Sequence, residues 1–423
     1  MNPSRRRLVA GVVLLLVMGG AGALLSYYFS GSAYAESDAR AAEVDGTLVS
    51  ANTGFAVRLM RELQTSQSGG NIFVSPLSVS VALSMAYNGA DTTTKQAMAT
   101  VLGFDGMSDE EVNTGFKALI ESLMSADEDV SLNIGDSVWI KSGFAEGVKP
   151  AFTDALSEYY LSEVYVRPFD GSTITEVNSW IDEETNGMIK KMVDDIDAET
   201  VMFLINAIYF KGAWVDKFDT SLTKAADFTI ADGSTVSVDM MSRVGEYAYS
   251  NDGVVQVARL PYGRDKIAMY VFLPAEGTSL ESFTGGLTSE KLEAYFTKLH
   301  VSELDLSMPK LKLEYGKVDL KGALTNMGMG DAFDRGAADF SRIADVSPER
   351  LFIAFVDHKA VVEVNEEGTE AAAATNVGIG VTSAPMRTEF MVDRPYMFVI
   401  RDDRSGSILF SGLISDPTLQ TSP

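Results

Sequence analysis

Polar and apolar positions alternate between Thr369 and Val381, near the C-terminus of the chain. Every second residue there is small or β-branched, and the set is Thr369, Ala371, Ala373, Thr375, Val377, Ile379 and Val381. A period of two with β-branched residues on one face predicts a half-buried strand. The glycines and alanines in the same segment nevertheless give it a low strand propensity. The pattern therefore indicates a segment that is a loop in one condition and an inserted strand in another.

Two helices are predicted in the N-terminal half. Ser75 is placed to be an N-cap and Pro76 fits the first helical position, so a helix is expected from there to Asn88-Gly89. A second helix is expected from Thr92 to Gly103.

Several apolar runs predict strands. Phe203–Trp214 is almost continuously apolar, which is typical of a strand covered on both faces. Asn206 is its one strongly polar interior residue and needs hydrogen-bond partners if it is buried. Further strands are expected at Val238–Met241, Leu260–Tyr262, Met269–Pro274, Phe390–Arg401 and Ile408–Gly412.

The N-terminus carries an export signal. Arg5–Arg7 precede a run without charged or strongly polar side chains, Leu8–Leu25. Ala33–Ala35 suits cleavage after Ala35, whereas the length of the run and Tyr27–Phe29 favour a retained anchor. Both alternatives stay open. In both, the folded part lies outside the cytoplasmic membrane.

The rest of the chain predicts one large domain. Residues 1–35 are the signal peptide or membrane anchor, and the polar, alanine-rich residues 36–47 are a linker. No repeat or further linker interrupts residues 48–417, and residues 418–423 form a short tail.

Composition excludes several functions. The chain has 423 residues and a net charge of −25, so duplex nucleic acid, which requires clustered cations, is not an expected partner. It contains no cysteine, which excludes disulfides and thiolate chemistry. Since no metal-ligand cluster, phosphate-binding loop or N-glycosylation sequon is present, neither a cofactor nor an N-glycan is predicted.

The alternating segment and its surroundings resemble the hinge and reactive-centre loop of a serpin, a serine-protease inhibitor fold. The resemblance covers residues 48–417, and its most specific stretches are Glu366–Ser383, His358–Val364, Asn71–Ser78, Val177–Ile189, Ala338–Ile343 and Phe390–Pro417. It implies an α+β serpin fold with three β-sheets and about nine helices, an exposed reactive-centre loop within residues 366–389 and a metastable native state.

The resemblance also implies a function without catalysis by this chain. The target serine protease attacks the loop and forms a covalent acyl-enzyme, the cut loop inserts into the main sheet, and the protease is trapped. The protein is then a suicide substrate, is not an enzyme, and acts as a monomer. The hinge that must insert comprises Glu366, Glu367, Gly368, Thr369, Glu370, Ala371, Ala372, Ala373, Ala374 and Thr375.

Counting from Gly368 in the family manner places the scissile bond at Thr382–Ser383. The segment from Thr369 to Thr382 would extend about 46 Å as a strand. Thr382 after Val381 favours an elastase-like or subtilisin-like target. Two rival bonds remain, Arg387–Thr388 for a trypsin-like enzyme and Met386–Arg387 for a chymotrypsin-like one.

The resemblance assigns two further groups. Ser75, Ser78, Asn206 and His358 are expected to form a buried hydrogen-bonded cluster, the shutter, where the sheet opens. Trp214 and an ion pair between Lys310 and Glu366 are expected at the point of loop insertion, the breach. Catalysis by His358 is not expected, because the chain lacks a Gly-x-Ser-x-Gly motif and its other histidine, His300, lies in a helix-like polar stretch.

Two alternative functions stay open. The protein could be a non-inhibitory serpin-fold binding or chaperone-like protein whose loop is a recognition segment, or an inhibitor of cysteine proteases, which also form acyl-enzymes. The intact hinge favours inhibition. Heparin activation is not expected, since Ser108–Asp129 contains Lys117 as its one cation among seven acidic residues. Contact with a membrane is expected only through an uncleaved N-terminal segment.

Overall fold

A computed structural model describes residues 37–67, 69–346, 350–369 and 387–419. Within these ranges no helix is both long and apolar enough to cross a membrane. The predicted signal peptide or anchor, residues 1–35, lies outside the described residues. Residues 37–42 of the predicted linker are helical, and the Ser37 hydroxyl donates a hydrogen bond to the carbonyl oxygen of Ser125 at 2.8 Å.

The helices are concentrated in the first half of the chain. They are α1 Gly46–Ser66, α2 Pro76–Gly89, α3 Thr92–Leu102, α4 Asp109–Met124, α5 Pro150–Tyr159, α6 Gly171–Glu184, α7 Leu280–Gly285, α8 Ser289–Thr297, α9 Lys321–Leu324 and α10 Gly330–Phe333. Short 3₁₀ turns occur at Ala145–Gly147 and Thr220–Leu222, and a π turn at Thr325–Met329.

The strands are distributed along the whole described chain. They are β1 Ile72–Val74, β2 Val130–Lys141, β3 Glu163–Arg167, β4 Met202–Ala213, β5 Lys224–Thr229, β6 Thr235–Asn251, β7 Val255–Tyr262, β8 Ile267–Pro274, β9 His300–Pro309, β10 Leu311–Asp319, β11 Asp357–Asn365, β12 Gly368–Thr369, β13 Thr388–Met391, β14 Tyr396–Asp402 and β15 Ile408–Ile414.

These strands form two hydrogen-bonded sheets. The six-stranded sheet has the order β10-β11-β12-β4-β2-β3. The nine-stranded sheet has the order β1-β15-β14-β8-β7-β6-β9-β13, and β5 pairs with β6. The long strand β6 belongs to two parts of this sheet, because its last residues pair with β7 while β5 and β9 pair mainly with its preceding length. The three expected sheets are therefore the six-stranded sheet and these two parts.

The six-stranded sheet has apolar side chains packed on both faces. On one face Trp139 and Phe203 form a small cluster with Trp180 of α6, while Ile208 and Phe210 of β4 point into the main core. This packing explains the nearly continuous apolar sequence of β4. In the main core the ring of Phe73 stacks between Phe398 and Phe410, with centroid distances of 5.8 and 5.5 Å.

Local signals located the N-terminal helices well. Ser75 caps α2 by accepting a hydrogen bond from the Ser78 amide, and Pro76 is the first helical residue. Helix α3 ends before Gly103, which adopts a left-handed conformation with φ of 83°.

Two element predictions were wrong. The strand expected at Phe390–Arg401 is divided into β13 and β14, since Pro395 cannot donate a ladder hydrogen bond and the chain changes partner there. His300 begins β9 rather than lying in a helix-like stretch. Strand β9 exposes Val301, Glu303 and Asp305 on one face. Because two of these residues are charged, the segment resembled a polar helix in the sequence rather than an alternating strand.

The close packing of β15 against β14 predicts that position 412 does not tolerate a residue larger than glycine. A Cβ atom on Gly412 would lie 2.2 Å from Cε1 of Phe398, so Gly412→Ala should cost about 1–3 kcal/mol through overpacking. The matched control is Gly322→Ala in α9, where a Cβ atom meets nothing within 4 Å. Urea midpoints followed by tryptophan fluorescence provide the measurement, and equal midpoints for both variants would contradict the prediction.

Candidate functional site: the loop hinge and the sheet it joins

The hinge begins with a turn at Glu366 and Glu367 and continues as a strand. Gly368 and Thr369 form β12, which pairs antiparallel with Asn365 and Val364 of β11 on one side. On the other side the same two residues pair with Ala213 and Gly212 of β4. Within the described residues β11 and β4 are joined only through this two-residue strand. The position in the sheet between β11 and β4, which begins with β12, is named the insertion slot.

Gly368 is required by the close approach of two backbones. Its φ is 148°, which side chains of L-residues rarely adopt, and a Cβ atom would lie 2.1 Å from the carbonyl oxygen of Gly212. Only glycine can therefore place the hinge this close to β4.

Thr369 points into the protein. It is buried, and its hydroxyl lies 2.7 Å from the hydroxyl of Tyr262. Tyr262 in turn stacks on Trp214 with a centroid distance of 4.3 Å, and burial raises the pKa of its phenol. The first residue of the alternating set thus defines the face of the sheet that the set would occupy.

Trp214 holds the turn with which the hinge begins. Its indole N–H donates to the carbonyl oxygen of Asn365 at 2.9 Å, and its backbone N–H donates to that of Glu367 at 2.9 Å. The amide of Phe218 donates to the carbonyl oxygen of Glu366 at 2.9 Å. These three bonds fix the turn between β11 and β12.

Charged groups reinforce the same turn. The carboxylate of Glu366 is buried, lies 3.0 Å from Nζ of Lys310 and accepts a 2.7 Å hydrogen bond from the Thr223 hydroxyl. Burial by itself would raise the pKa of Glu366, but the Thr223 hydrogen bond and Lys310 outweigh it and hold that pKa below its ordinary value. Lys217 forms a second ion pair with Glu367 at 2.5 Å.

Three of the four predicted shutter residues lie together. The amide of Ser75 donates to Nε2 of His358 at 3.1 Å, and the Ser75 hydroxyl donates to the carbonyl oxygen of Leu409 at 2.7 Å. The amide of Ser78 donates to that same hydroxyl at 3.1 Å. Burial lowers the pKa of His358 to about 4, so the ring is neutral at physiological pH and accepts at Nε2.

Asn206 has a different partner in the structure. Its side-chain amide donates to Oδ1 of Asp136 on β2 at 2.8 Å. Sequence reasoning missed Asp136, although an aspartate between the apolar positions Ile134 and Val138 could have been noticed as a buried charge. The predicted shutter residues and their partner Asp136 therefore lie on β2 and β4 as well as on β11 and α2.

The remaining loop residues divide between the described and undescribed parts of the chain. Glu370 to Thr375 of the hinge, the predicted bond Thr382–Ser383 and Met386 lie outside the described residues. Arg387 is described, and its guanidinium lies 3.1 Å from the carboxylate of Glu303. The next residue, Thr388, begins β13 and pairs with Leu304 of β9. Among the described residues, no group of three or more metal-ligating side chains is placed to hold an ion.

A family model described as Serpin (serine protease inhibitor) matches residues 50–417. The chain belongs to the serpin family. Membership supports a protease-inhibitor-like function, and serpins generally act as inhibitors rather than as catalytic enzymes. The α+β serpin fold predicted from the sequence is confirmed.

Relatives and solved structures cover almost the whole serpin domain. Iris from Ixodes ricinus is 35% identical over 374 residues, which are 86% of this chain and 97% of Iris. The thermophilic serpin tengpin in its native state superposes with a TM-score of 0.81 at 29% identity, covering 88% of this chain and 95% of tengpin. Thyroxine-binding globulin in complex with thyroxine gives a TM-score of 0.77 at 30% identity, covering 88% of this chain and 99% of that serpin.

The contacts at the breach predict the effect of Thr223→Val. The substitution keeps the shape of the side chain but removes a hydrogen bond to a buried carboxylate, so it should lower stability by about 1–2 kcal/mol. Thr220→Val, on the exposed side of the same turn, is the matched control and should change little. The measurement is the urea midpoint of each variant. If Thr223→Val unfolds at the same urea concentration as the control, the hydrogen bond to Glu366 does not stabilise the breach.

Proposed function

We propose that this serpin inhibits serine proteases as a suicide substrate, and that the loop following Thr369 inserts between β11 and β4 after cleavage. The observation that carries the proposal is β12, because Gly368 and Thr369 are already paired with both strands. A loop that served only for recognition would have no need of a strand start between two strands of the main sheet.

The register of β12 identifies the contacts of an inserted loop. Thr369 lies opposite Val364 and Gly212. Continuing two residues at a time, Ala371 would lie between Val362 and Phe210, and Ala373 between Ala360 and Ile208. Thr375 would lie between His358 and Asn206.

The two sides of the slot match this register chemically. Val362, Ala360, Ile208 and Phe210 are buried and apolar, so alanines opposite them bury no polar group. At the next inward position both neighbours, His358 and Asn206, are polar. There the loop would supply the hydroxyl of Thr375. This correspondence supports inhibition over the alternative of a binding or chaperone-like protein.

The proposed chemistry belongs to the protease. Its nucleophilic serine attacks the carbonyl carbon of Thr382, the bond to the nitrogen of Ser383 breaks, and that nitrogen leaves as a protonated amine. The loop, still esterified to the protease through Thr382, then gains backbone pairs on both edges as it inserts. Deacylation fails because the protease carried along with it loses its active geometry.

The position of Arg387 disfavours the rival bond Arg387–Thr388. Thr388 is already paired with β9, and the side chain of Arg387 is bound to Glu303. A protease must hold several residues beyond the scissile bond in extended form, and here those residues belong to a sheet. Thr382–Ser383 is therefore the proposed bond, with an elastase-like or subtilisin-like target.

The cellular setting is part of the proposal. The basic flank and apolar run at the N-terminus would bring the serpin domain outside the cytoplasmic membrane, either secreted or anchored. A chain without cysteine is compatible with an oxidising compartment there.

Incubation with pancreatic elastase and with subtilisin tests inhibition and the scissile bond together. We expect a covalent complex that survives denaturing electrophoresis and release of a fragment that starts at Ser383, measured by intact mass. A fragment starting at Thr388 would move the bond to Arg387. Clean cleavage without a complex by these enzymes, by trypsin and chymotrypsin and by papain-like proteases would contradict inhibition and favour the binding alternative.

Ala371→Arg tests insertion. Thr369 is already buried in β12, whereas the register places Ala371 between the buried Val362 and Phe210 only once the loop inserts. A cation there would be buried unpaired on insertion, so the variant should form at least about tenfold fewer complexes per cleavage and behave as a substrate. Glu370→Arg is the matched control, since position 370 would lie on the opposite face beside Glu363 and Lys211 and should leave inhibition nearly unchanged. Undiminished complex formation by Ala371→Arg would exclude the insertion mechanism.

A further inference from the structure

Two buried oxygen atoms of the shutter lack a hydrogen-bond donor among the described residues. One is Oδ2 of Asp136 and the other is Oδ1 of Asn206. The two residues are directly opposite each other in the β2–β4 ladder, and their other side-chain atoms already share the 2.8 Å hydrogen bond from the Asn206 amide to Oδ1 of Asp136.

A single proton would provide the missing donor. A carboxylic acid donates from one oxygen and accepts at the other, and a primary amide does the same, so the two groups can form a reciprocal pair. A carboxylate cannot, since it would direct a lone pair at the amide oxygen inside the sheet. Leaving both acceptors unpaired in the core carries the full cost of their desolvation.

We propose that Asp136 is a neutral carboxylic acid at mildly acidic pH, that it donates from Oδ2 to Oδ1 of Asn206, and that this acid–amide pair locks β4 to β2 beside the insertion slot. Asp136 is then a positioning residue that acts through Asn206. The pair itself is independent of the proposed function, whereas its effect on loop insertion rests on it.

The environment of Asp136 favours the neutral form. The residue is only 4% exposed. Burial, and to a lesser degree the like charge of Glu184 on α6, raise the pKa of Asp136 to about 7, against the smaller opposing effect of the Asn206 hydrogen bond. A Cβ atom on the adjacent Gly135 would lie 2.7 Å from Oε2 of Glu184, which shows how closely α6 approaches this point of β2.

Other titratable groups lie around the shutter. They lie on β11, after α5, on α2 and on β3, and they are His358, Tyr160, Tyr87 and Glu163. His358 is neutral above its pKa of about 4, and the pKa of Tyr87 is raised to about 12. Burial raises the pKa of Tyr160 further, and the charge of Asp136 adds to this. Glu163 accepts from the indole of Trp180 on the side of the sheet that α6 covers.

The direction in which stability changes with pH follows from the extra proton that the native state binds at Asp136. An unfolded aspartate releases its proton near pH 4, whereas the native acid keeps its proton up to about pH 7. The native state therefore binds the extra proton between these values, and the stability that it brings is fully present below about pH 4 and is lost as the pH rises through 7. The unfolding equilibrium should rise by up to about tenfold per pH unit in this window from Asp136 alone.

Unfolding rates of the full-length protein in urea, followed by tryptophan fluorescence between about pH 5 and pH 8, test the lock. The wild type should unfold faster as the pH rises. Asp136→Asn, which can form the same reciprocal pair without a proton, should remove this dependence and unfold slowly throughout. Glu184→Gln should shift the midpoint of the wild-type profile to lower pH. Asp357→Asn, at a second half-buried aspartate of the same sheet whose pKa is also raised by burial, should keep the part of the pH dependence that Asp136 causes.

Infrared difference spectra provide a readout that does not depend on a variant that folds. The wild type should show a protonated carboxyl band below pH 7 that disappears at higher pH and is absent from Asp136→Asn. An ionised Asp136 at pH 5.5, or identical pH profiles for the wild type and Asp136→Asn, would overturn the proposal. Because neither measurement uses a protease, a failure here is distinguishable from a failure of inhibition.

Discussion

The backbone of Gly368 lies against the carbonyl oxygen of Gly212, and this contact decides where an added strand can begin in the main sheet. Any side chain at position 368 would push the hinge away from β4 and prevent Thr369 from pairing on both sides. Once Thr369 points into the core, the pleat fixes the face of every later residue. In the proposed inserted state, the small and β-branched set from Thr369 to Val381 would face inward and the alternate set would lie on the opposite face of the sheet.

The contacts that hold the hinge do not oppose insertion. Trp214 binds the carbonyl oxygens of Asn365 and Glu367, and Lys310 and Lys217 pair with Glu366 and Glu367, all of which precede Gly368. In the proposed inserted state, strand pairs would be added after Thr369 and these bonds would stay in place. The buried carboxylate of Glu366 therefore serves as a fixed end for the loop, since separating it from Lys310 and Thr223 would leave a charge in the core without a partner.

Much of the fold could be read from local sequence, because Ser75 and Pro76 start a helix by chemistry that needs no distant partner, and the apolar run of β4 reports its burial directly. The alternation that begins at Thr369 predicted a strand from local sequence as well, and Gly368 and Thr369, the described residues at its start, do form β12. The pairing of strands that are distant in sequence could not be predicted from local sequence. The division at Pro395 depends on a change of sheet partner, and β9 alternates with a charged outer face that resembles a helix surface. The partnership of Asn206 with Asp136 is set by the β2–β4 register, which no pattern within either strand contains.

Polar groups inside the sheet are a second determinant of the register of the proposed inserted strand, besides the contact between Gly368 and Gly212. Along the inward face of the slot, the Tyr262 hydroxyl lies at one end, apolar residues follow, and His358 and Asn206 lie below them. In the proposed inserted state the threonines at 369 and 375 meet the two polar positions and the alanines at 371 and 373 meet the apolar ones. A slip of two residues would bring Ala373 or Val377 to His358 and leave buried polar atoms unpaired, at a cost of about 1–3 kcal/mol for each atom. The inserted strand would thus be held in one register, because a shifted register would leave buried polar atoms unpaired. The steric limit at Gly368 restricts the register further.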